Sequence, residues 1–310
     1  MNIVFLDAIT VGEDISLEPI SELGKLTLYS ATKPNEINER IKNAQVLIVN
    51  KVNISSENIN AAPNLKLICE AATGVNNIDV SYAESKGIPV KNVAGYSTES
   101  VAQVTFMHIL NLVGNPFYFD DYVKSGRYSS SGCFTDVSHP FYELKGKKLG
   151  IIAMGNIGSR VAEIASVFGM VVSYFSTSGT GHNKNYPSVS LDKLLRESDI
   201  VTIHAPLNDN TLNLIQYDDI CMMKSTAYIV NMGRGGIINE DDLVKALNDK
   251  KIAGAAIDVF VDEPLPAYHP YITGMKNPLM IKFTPHIGWT TREARTKLVS
   301  MIAENIKTIL

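Results

Sequence analysis

Two glycines in the middle of the chain have the spacing of a phosphate-binding turn. Residues 149–158 read Leu-Gly-Ile-Ile-Ala-Met-Gly-Asn-Ile-Gly, an apolar run that ends in small residues and leads into a helical pattern. Unpaired N–H groups at a helix start carry the positive end of the helix dipole and can bind a pyrophosphate. Gly155 would leave this backbone bare, and Gly158 would let the helix pack closely on the strand. Ala153 holds the first motif position instead of glycine, which predicts a turn that keeps its φ negative.

Apolar runs at the spacing of βα units surround this turn and predict a parallel sheet. The predicted strands of this half cover 148–154, 171–175, 199–205, 227–232, 253–259 and 279–284. Before residue 95, a second series of strand-like and helix-like runs predicts a parallel domain of its own. The predicted fold class is therefore α/β, with two Rossmann-like or flavodoxin-like parallel-sheet domains and an interdomain cleft.

Two helical patterns predict how the chain passes between these domains. Residues 97–110 are apolar at helical spacing and lead from the first domain into the second, and residues 290–310 form an amphipathic pattern that can return to the first. The stretch 115–142 is aromatic and rich in serine, without clear periodicity. The predicted domains are 1–98 plus 287–310, and 99–286. Two crossings would make a hinge, with the active site in the cleft.

Composition excludes several classes of function. The 310 residues carry a net charge of −4, so no basic field exists to hold nucleic acid or an anionic membrane. Three scattered cysteines suit a reducing cytoplasm and offer no disulfide framework. Six histidines show no metal-ligand spacing, so no metal is predicted. The strand-like start of the sequence predicts neither a signal peptide nor a membrane span.

Ordered motifs along the whole chain resemble one known family. They are Ala-Ala-Thr-Gly-Val-Asn-Asn-Ile-Asp at 71–79, Gly-Tyr-Ser-Thr-Glu-Ser-Val-Ala-Gln at 95–103, Glu-Leu-Lys-Gly-Lys-Lys-Leu-Gly-Ile-Ile at 143–152, His-Ala-Pro-Leu at 204–207, Asn-Met-Gly-Arg-Gly-Gly at 231–236, the acidic, proline-bounded stretch 256–266 and Thr-Pro-His-Ile-Gly-Trp at 284–289. The chain resembles the D-isomer-specific 2-hydroxyacid dehydrogenase family, within it the glycerate dehydrogenase (hydroxypyruvate reductase) branch. The resemblance implies a discontinuous substrate-binding domain, an NAD(P)-binding domain between its parts, and a homodimer.

Three residues could carry the reduction of a 2-keto acid, which needs a grip on the carboxylate, polarisation of the ketone and a proton donor. Arg234 stands between glycines after a strand, where its guanidinium could bind a carboxylate in bidentate fashion; alone it would be a surface arginine. His286 follows a strand and a proline, and the resemblance makes it the general acid, although a lone histidine is more often structural. The resemblance makes Glu263, otherwise a solvated carboxylate, the partner that orients His286 and keeps it protonated near neutral pH.

Four further residues are candidates for binding the substrate. The backbone of Thr73, Gly74 and Val75 is predicted to give a second grip on the carboxylate, because glycine after a strand permits close approach; the alternative is a plain turn. Trp289, the only tryptophan, resembles a pocket wall that a neighbouring subunit could lend, or else belongs to a core.

The cofactor set combines the glycine turn with positions that match the family. It comprises Met154, Gly155, Asn156, Ile157, Ser176, Thr177, Ser178, His204, Ala205, Pro206, Thr211, Met232, Gly233, Asp258 and Gly288. Asp258 matches the aspartate that meets the nicotinamide carboxamide, although an aspartate that ends a strand can also cap the next element. His204 is equally compatible with packing, and Thr211 either approaches the phosphates or caps a short helix.

Cofactor choice stays open between NAD and NADP. The strand 171–175 should be followed by an acidic residue that holds both ribose hydroxyls, but Ser176 stands there. Without that carboxylate a 2′-phosphate is not repelled. Hydroxyls that could donate to it follow at Thr177, Ser178 and Thr180. No arginine follows, only His182 and Lys184, so the sequence predicts a site that accepts either cofactor.

The resemblance implies an enzyme that reduces a small 2-keto acid, with hydroxypyruvate or glyoxylate favoured, to the D-2-hydroxy acid, and the cysteine content predicts a cytoplasmic location. A D-lactate or 2-ketobutyrate-type dehydrogenase stays open, because one methylene or hydroxyl changes binding too little to be read from sequence. A non-catalytic NAD(H)-binding regulator on the same fold is a further alternative. The presence of Arg234, Glu263 and His286 together favours the enzyme.

Overall fold

The computed structural model describes residues 1–181 and 183–309, which fold into two compact units. The smaller unit contains Met1–Ser97 and the chain from Trp289 onward, and the larger unit is Thr98–Gly288. His182, expected near the ribose, and Leu310, expected at the end of the C-terminal helix, lie outside the described residues. The two predicted parallel-sheet α/β domains are confirmed.

Five parallel strands form the sheet of the smaller unit in the order β2-β1-β3-β4-β5, a flavodoxin-like arrangement. They are β1 Asn2–Phe5, β2 Lys25–Leu28, β3 Val46–Val49, β4 Leu67–Glu70 and β5 Val90–Lys91. Successive strand residues point to opposite faces, so both faces are apolar and buried. In β1, Ile3 and Phe5 join one core cluster, whereas Val4 joins the other.

Helices cover both faces of this sheet. They are α1 Glu18–Ser21, α2 Ile37–Ile41, α3 Ser56–Asn60, α4 Val80–Ser85 and the C-terminal helix Arg292–Lys307. The C-terminal helix packs Leu298 and Ile302 on the face that Phe5 occupies. The chain therefore leaves this unit after residue 97 and completes it with its last segment.

Six parallel strands form the sheet of the larger unit in the order β11-β10-β9-β8-β6-β7. They are β6 Lys148–Ile152, β7 Val171–Phe175, β8 Ile200–Ile203, β9 Tyr228–Asn231, β10 Gly254–Ile257 and β11 Ile281–Phe283. A single bridge from Tyr174 to Ser188 extends the sheet beyond β7. The chain moves outward from β6 to β7 and then crosses back to β8, which makes β6 and β8 the switch point of the sheet.

Helices also cover both faces of the larger sheet. They are α5 Thr98–Gly114, α6 Pro116–Lys124, α7 Arg127–Ser130, α8 Asn156–Val167, α9 Leu191–Glu197, α10 Tyr217–Met222, α11 Glu240–Asn248 and α12 Pro270–Thr273. Helices α5 and α8 pack on one face, and α9 to α12 contribute to the core of the other. Within the described residues, no helix is both long and apolar enough to cross a bilayer.

The carboxyl ends of the six strands lie in one row. Ile152 pairs with Phe175 and Ile203, Asn231 pairs with Ile203 and Ile257, and Ile257 pairs with Phe283. Neighbouring strands lie about 4.8 Å apart, so the loops after β9, β10 and β11 begin within roughly 10 Å of each other. This row brings together segments that are far apart in sequence.

One segment differs from the sequence prediction. The stretch 115–142, which shows no clear periodicity, contains α6 and α7. Neither helix has a buried residue, so no buried face imposes an apolar period on them.

The smaller unit also buries two acidic residues at the carboxyl edge of its sheet. The Asp7 carboxylate accepts hydrogen bonds from the amides of Asn50 and Lys51, at 3.0 and 2.6 Å. Glu70 is fully buried and accepts a hydrogen bond from Asn77 Nδ2 at 3.0 Å. Burial raises the pKa of Glu70 to about 9, against the opposing effect of the Asn77 hydrogen bond. Folding therefore favours the protonated acid.

This pKa predicts a pH dependence of stability. Between its ordinary value of 4.5 and about 9, Glu70 holds its proton in the folded state and loses it on unfolding. Its contribution is fully present below 4.5 and is lost progressively as pH rises through this window. Glu70→Gln keeps the shape of the side chain and the acceptor for Asn77, but it cannot ionise. As pH rises, the unfolding free energy of this variant should therefore fall less than that of the wild-type protein. The difference should be up to about 1 kcal/mol per pH unit.

Thermal melts at about pH 6 and pH 8 measure this difference. The control is Glu84→Gln, which removes an exposed carboxylate of the same unit. The wild-type protein and Glu84→Gln should lose more stability between the two pH values than Glu70→Gln does. An equal loss in all three proteins would show that Glu70 is ionised in the folded state.

Candidate active site

The loops that follow the row of strand ends in the larger sheet carry most of the predicted site residues. Arg234 lies three residues after the end of β9, Glu263 six residues after β10, and His286 three residues after β11. The glycine turn follows β6, Ser176 follows β7 and His204 follows β8. Open α/β sheets bind their ligands outside this edge.

The glycine turn has a different conformation from the predicted one. Ala153 has φ +72°, so the expectation of a negative φ is wrong. The Ala153 amide still extends the ladder by donating to the Phe175 carbonyl at 2.9 Å, so the chain must turn at once after this hydrogen bond. A left-handed residue makes that turn, at a cost of about 1 kcal/mol for alanine.

Gly158 has the predicted role in packing. A Cβ on Gly158 would overlap the carbonyl oxygen of Ala153, so only glycine lets α8 approach β6 this closely. Gly155 precedes the first turn of α8, and a Cβ built on it would meet no atom within 4 Å. Asn156 is exposed at the helix start, whereas Met154 and Ile157 pack partly against the core. The helix start therefore has open space for an anion.

The loop after β8 places His204 in an apolar environment. Among the described residues, neither of its ring nitrogens has a hydrogen-bond partner, and both are buried. Burial lowers the pKa of His204 to about 3, so the ring is neutral. Next to it, Ala205 is buried and Pro206 is exposed. Thr211 is buried and donates to the Pro206 carbonyl at 2.6 Å, so its hydroxyl holds the loop together.

The hydroxyls after β7 contact one another. Ser176 Oγ donates to the Thr180 carbonyl at 2.6 Å and lies 3.2 Å from Ser178 Oγ. Thr177 is half-buried beside them. The loop therefore presents hydroxyls and no carboxylate at the position where the acidic residue was expected.

A buried asparagine that the sequence prediction missed shapes the turn that carries Arg234. Asn231 Nδ2 donates to the Arg234 carbonyl at 2.9 Å, and Asn231 Oδ1 accepts from the Gly233 amide at 3.0 Å. Arg234 Nη1 donates to the Gly233 carbonyl at 2.9 Å. A Cβ on Gly235 would overlap the backbone of Phe260 and Val261, so this turn packs directly on the loop after β10. The sequence signal for this role of Asn231 was a polar residue at the end of an apolar strand.

His286 and Glu263 form a close pair. His286 Nδ1 lies 2.8 Å from Oε2 and 3.0 Å from Oε1 of Glu263, and each side chain is 22% exposed. A carboxylate only accepts hydrogen bonds, so Nδ1 carries the hydrogen and Nε2 is left to contact a ligand. Glu263 Oε1 also accepts from the Phe260 amide at 3.1 Å. His286 has φ +53°, a conformation that is sparsely populated for residues other than glycine.

Asp258 holds the loop that carries His286. Its side chain is 1% exposed and accepts hydrogen bonds from Thr284 Oγ1 at 2.5 Å, from the Ile287 amide at 2.8 Å and from the Gly288 amide at 2.9 Å. Burial raises the pKa of Asp258, and these hydrogen bonds oppose the rise. The carboxylate thus holds the loop that carries His286, and its predicted contact with a nicotinamide stays a prediction. A Cβ on Gly288 would lie 2.9 Å from Asp258 Oδ2, so glycine suits this position.

The remaining predicted residues lie in the smaller unit. Thr73 Oγ1 donates to the Val93 carbonyl at 3.1 Å, and the Thr73 carbonyl accepts from Asn92 Nδ2 at 2.5 Å. In the described parts of the chain, the amides of residues 73–75 donate to no backbone carbonyl. Trp289 packs against the core of this unit, edge-on to Tyr96 with ring centroids 6.3 Å apart. Over the same described residues, no group of histidine, cysteine and acidic side chains could hold a metal ion.

Comparison with known proteins identifies the family. Residues 106–288 match the D-isomer specific 2-hydroxyacid dehydrogenase, NAD binding domain. The chain belongs to the D-isomer-specific 2-hydroxyacid dehydrogenase family. The match covers the row of strand ends and every loop that carries Arg234, Glu263 and His286.

Relatives in this family extend over both units. The chain is 35% identical to a hydroxypyruvate reductase of Blautia hydrogenotrophica, over 100% of this chain and 97% of the relative. It is 41% identical to a glyoxylate reductase of Aeropyrum pernix (82% and 76% covered) and 32% identical to a glycerate dehydrogenase of Methylorubrum extorquens (98% and 95%).

Solved structures share the fold. The D-lactate dehydrogenase of Aquifex aeolicus, complexed with NAD and lactic acid, has a TM-score of 0.83 and 29% identity, with 99% of this chain and 95% of that chain covered. An acyclic imino acid reductase in complex with NADPH and D-arginine has a TM-score of 0.87 and 26% identity, with 100% and 97% covered. Enzymes of this fold therefore bind either nicotinamide dinucleotide.

The hydrogen bonds that the Asp258 carboxylate accepts predict a loss of stability when this carboxylate is changed. Asp258→Asn turns one acceptor oxygen into an amide donor against the backbone donors of the loop, which should cost about 1 to 3 kcal/mol. The melting temperature should fall by roughly 2 to 10 °C. Asp262→Asn removes an exposed carboxylate four residues away and should leave the melting temperature almost unchanged. Equal melting temperatures for the two variants would show that the hydrogen bonds to Asp258 do not stabilise the fold.

Proposed function

We propose that this protein is an NAD(P)-dependent dehydrogenase that reduces a small 2-keto acid to the D-2-hydroxy acid, with hydroxypyruvate or glyoxylate favoured. The contact between His286 Nδ1 and the Glu263 carboxylate, at 2.8 Å, carries the proposal. It is an acid and its orienting base at the ligand-binding edge of the sheet. The relatives named as hydroxypyruvate, glyoxylate and glycerate enzymes support the substrate class.

Reduction of the ketone needs one hydride and one proton. A bound nicotinamide ring would supply the hydride. His286 would donate the proton from Nε2 to the alkoxide oxygen. Glu263 accepts a hydrogen bond from Nδ1–H, which fixes the orientation of the ring and leaves Nε2 to face the substrate. The product is the alcohol, and the ring of His286 is left neutral.

The substrate carboxylate requires a cation, and we assign Arg234 to it. Its planar guanidinium can hold the carboxylate in bidentate fashion and polarise the adjacent ketone. The side chain is half-buried, and its Nη1 donates to the Gly233 carbonyl. The amides of Thr73, Gly74 and Val75 are proposed as a second grip. Trp289 is kept as a candidate pocket residue.

The glycine turn and its neighbours suit a nicotinamide dinucleotide. The open space at Gly155 can take the pyrophosphate at the start of α8, with Met154, Asn156 and Ile157 around it. His204 follows β8 at the same edge of the sheet and is kept as a candidate for the nucleotide. The further candidates for the nucleotide are Ala205, Pro206, Thr211, Met232, Gly233, Asp258 and Gly288.

A second copy of this chain is the proposed partner. The segment 115–142 exposes three aromatic side chains that a second copy could cover, Phe117, Phe134 and Phe141, at 65%, 88% and 62%. Sedimentation should give twice the mass of one 33.9 kDa chain, and a monomer would overturn the homodimer. Cytoplasmic location is proposed because the three cysteines are free thiols.

The first test of the proposal is turnover with a panel of 2-keto acids, followed as NADH oxidation at 340 nm. Hydroxypyruvate or glyoxylate should be reduced fastest, and His286→Ala should lower kcat by roughly 10²- to 10⁴-fold, the usual scale for a lost general acid. His139→Ala, at an exposed histidine outside the site, should keep full activity. An inactive wild-type protein that binds NADH would indicate a regulator instead.

The second test concerns cofactor choice, which we propose to be permissive because hydroxyls replace the acidic residue at Ser176. Wild-type kcat/KM for NADH and NADPH should agree within about 100-fold, and Ser176→Asp should lower kcat/KM for NADPH by roughly 10-fold or more through repulsion of the 2′-phosphate. Asn185→Asp adds the same charge at an exposed position of the loop and should change the ratio little. A wild-type preference for NADH above about 100-fold would contradict permissiveness.

A further inference from the structure

A second pair of glutamate and histidine contacts the loop that carries Glu263. Glu240, the first residue of α11, places Oε2 2.9 Å from His269 Nε2, and the two side chains are only 12% and 11% exposed. Glu240 Oε1 accepts from the Val261 amide at 3.1 Å. None of the roles described above uses these two side chains.

The hydrogen bonds of His269 define which nitrogen carries the proton. Its Nδ1 accepts from the Tyr271 amide at 3.2 Å, as the cap of α12. Nδ1 is therefore unprotonated, and Nε2 must donate to Glu240. The ring lies against the buried ring of Tyr271, with centroids 4.9 Å apart. His269 is thus fixed in one tautomer and one orientation.

Both ends of the loop that carries Glu263 are attached to the same carboxylate. Val261 lies two residues before Glu263 and His269 six residues after it, and both donate to Glu240. Glu240 in turn lies six residues after Arg234 in the chain, at the start of a helix packed in the core of the sheet. The loop is therefore fastened to the element that follows the Arg234 turn.

We propose that Glu240 and His269 are positioning residues that hold the Glu263 carboxylate against His286. This inference rests on the proposed function for its catalytic consequence, but the contact itself can be measured without substrate. Misplacement of a catalytic group by about 1 Å costs up to about 100-fold in rate. The contacts of Glu240 with the Val261 amide and with His269 form a clamp on this loop. Loss of the clamp should therefore lower kcat and leave the affinity for the cofactor intact.

Two substitutions remove the clamp in different ways. Glu240→Gln keeps an oxygen for the Val261 amide but turns an N–H toward His269 Nε2, where two donors then face each other. His269→Asn keeps an acceptor for the Tyr271 amide but is too short to reach Glu240. Asp241→Asn is the matched control, since it removes the neighbouring exposed charge from the same first turn of α11.

The direct readout is the proton NMR signal of His286 Nδ1–H, which a hydrogen bond to a carboxylate moves far downfield. The wild-type protein and Asp241→Asn should show it, and Glu263→Gln should lose it. Glu240→Gln and His269→Asn should broaden it or shift it upfield. An unchanged signal in both clamp variants would overturn the proposal, whether or not the protein turns over a 2-keto acid.

Turnover provides the second readout. Glu240→Gln should lower kcat by roughly 10- to 100-fold, with the KM for NADH unchanged. In a Glu263→Gln background the same change should add less than about 3-fold, because the clamp acts through Glu263. Full additivity of the two changes would show that Glu240 only supports the fold and would overturn the positioning role. Absence of activity in the wild-type protein would instead overturn the proposed function and leave the NMR result to decide the clamp.

Discussion

The candidate site depends on the register of three parallel strands. Asn231, Ile257 and Phe283 are neighbours across β9, β10 and β11, and each is the last residue of its strand. Loops of a few residues then suffice to bring Arg234, Glu263 and His286 to one edge of the sheet. A slip of the register by one residue would reverse the faces of the strand and bury the wrong side chains. Apolar packing on both faces thus fixes the position of the polar site.

Carboxylates that accept backbone amides hold the loops on this edge. The Asp258 carboxylate accepts hydrogen bonds from the amides of Ile287 and Gly288. Glu240 accepts one from the Val261 amide, and Glu263 accepts one from the Phe260 amide. The smaller unit contains the same type of hydrogen bond. There Asp7 binds three consecutive amides, those of residues 50–52. Charge-assisted hydrogen bonds of this kind are stronger than neutral ones, and they keep loops ordered where no ladder continues. The left-handed conformation of His286 is maintained by such contacts.

Much of this arrangement could be predicted from the sequence, because buried parallel strands are continuous apolar runs. The strand Val171–Phe175 has the predicted bounds, and the glycine turn lies where its spacing indicated. Local pattern also predicted which loops would carry Arg234, Glu263 and His286, since motif residues follow strand ends. The family resemblance supplied their proposed roles.

The parts that were missed depend on contacts between distant residues. Glu240 and His269 are 29 positions apart, and no local period relates them. The hydrogen bonds that Asp258 accepts from the Ile287 and Gly288 amides join residues about 30 positions apart. The left-handed conformation of Ala153 follows from its ladder hydrogen bond to Phe175 and from the close approach of Gly158. Each of these requires the folded neighbours to be known.

The central claim is that His286 and Glu263 act as one proton-donating unit. Its most direct test compares kcat for wild-type protein, Glu263→Gln, His286→Gln and the double variant, at saturating NADH and 2-keto acid. If the two side chains form one unit, the double variant should be about as slow as His286→Gln alone, because Glu263 has no role once the imidazole is lost. Losses that multiply in the double variant would show that the two residues act independently and would contradict this account.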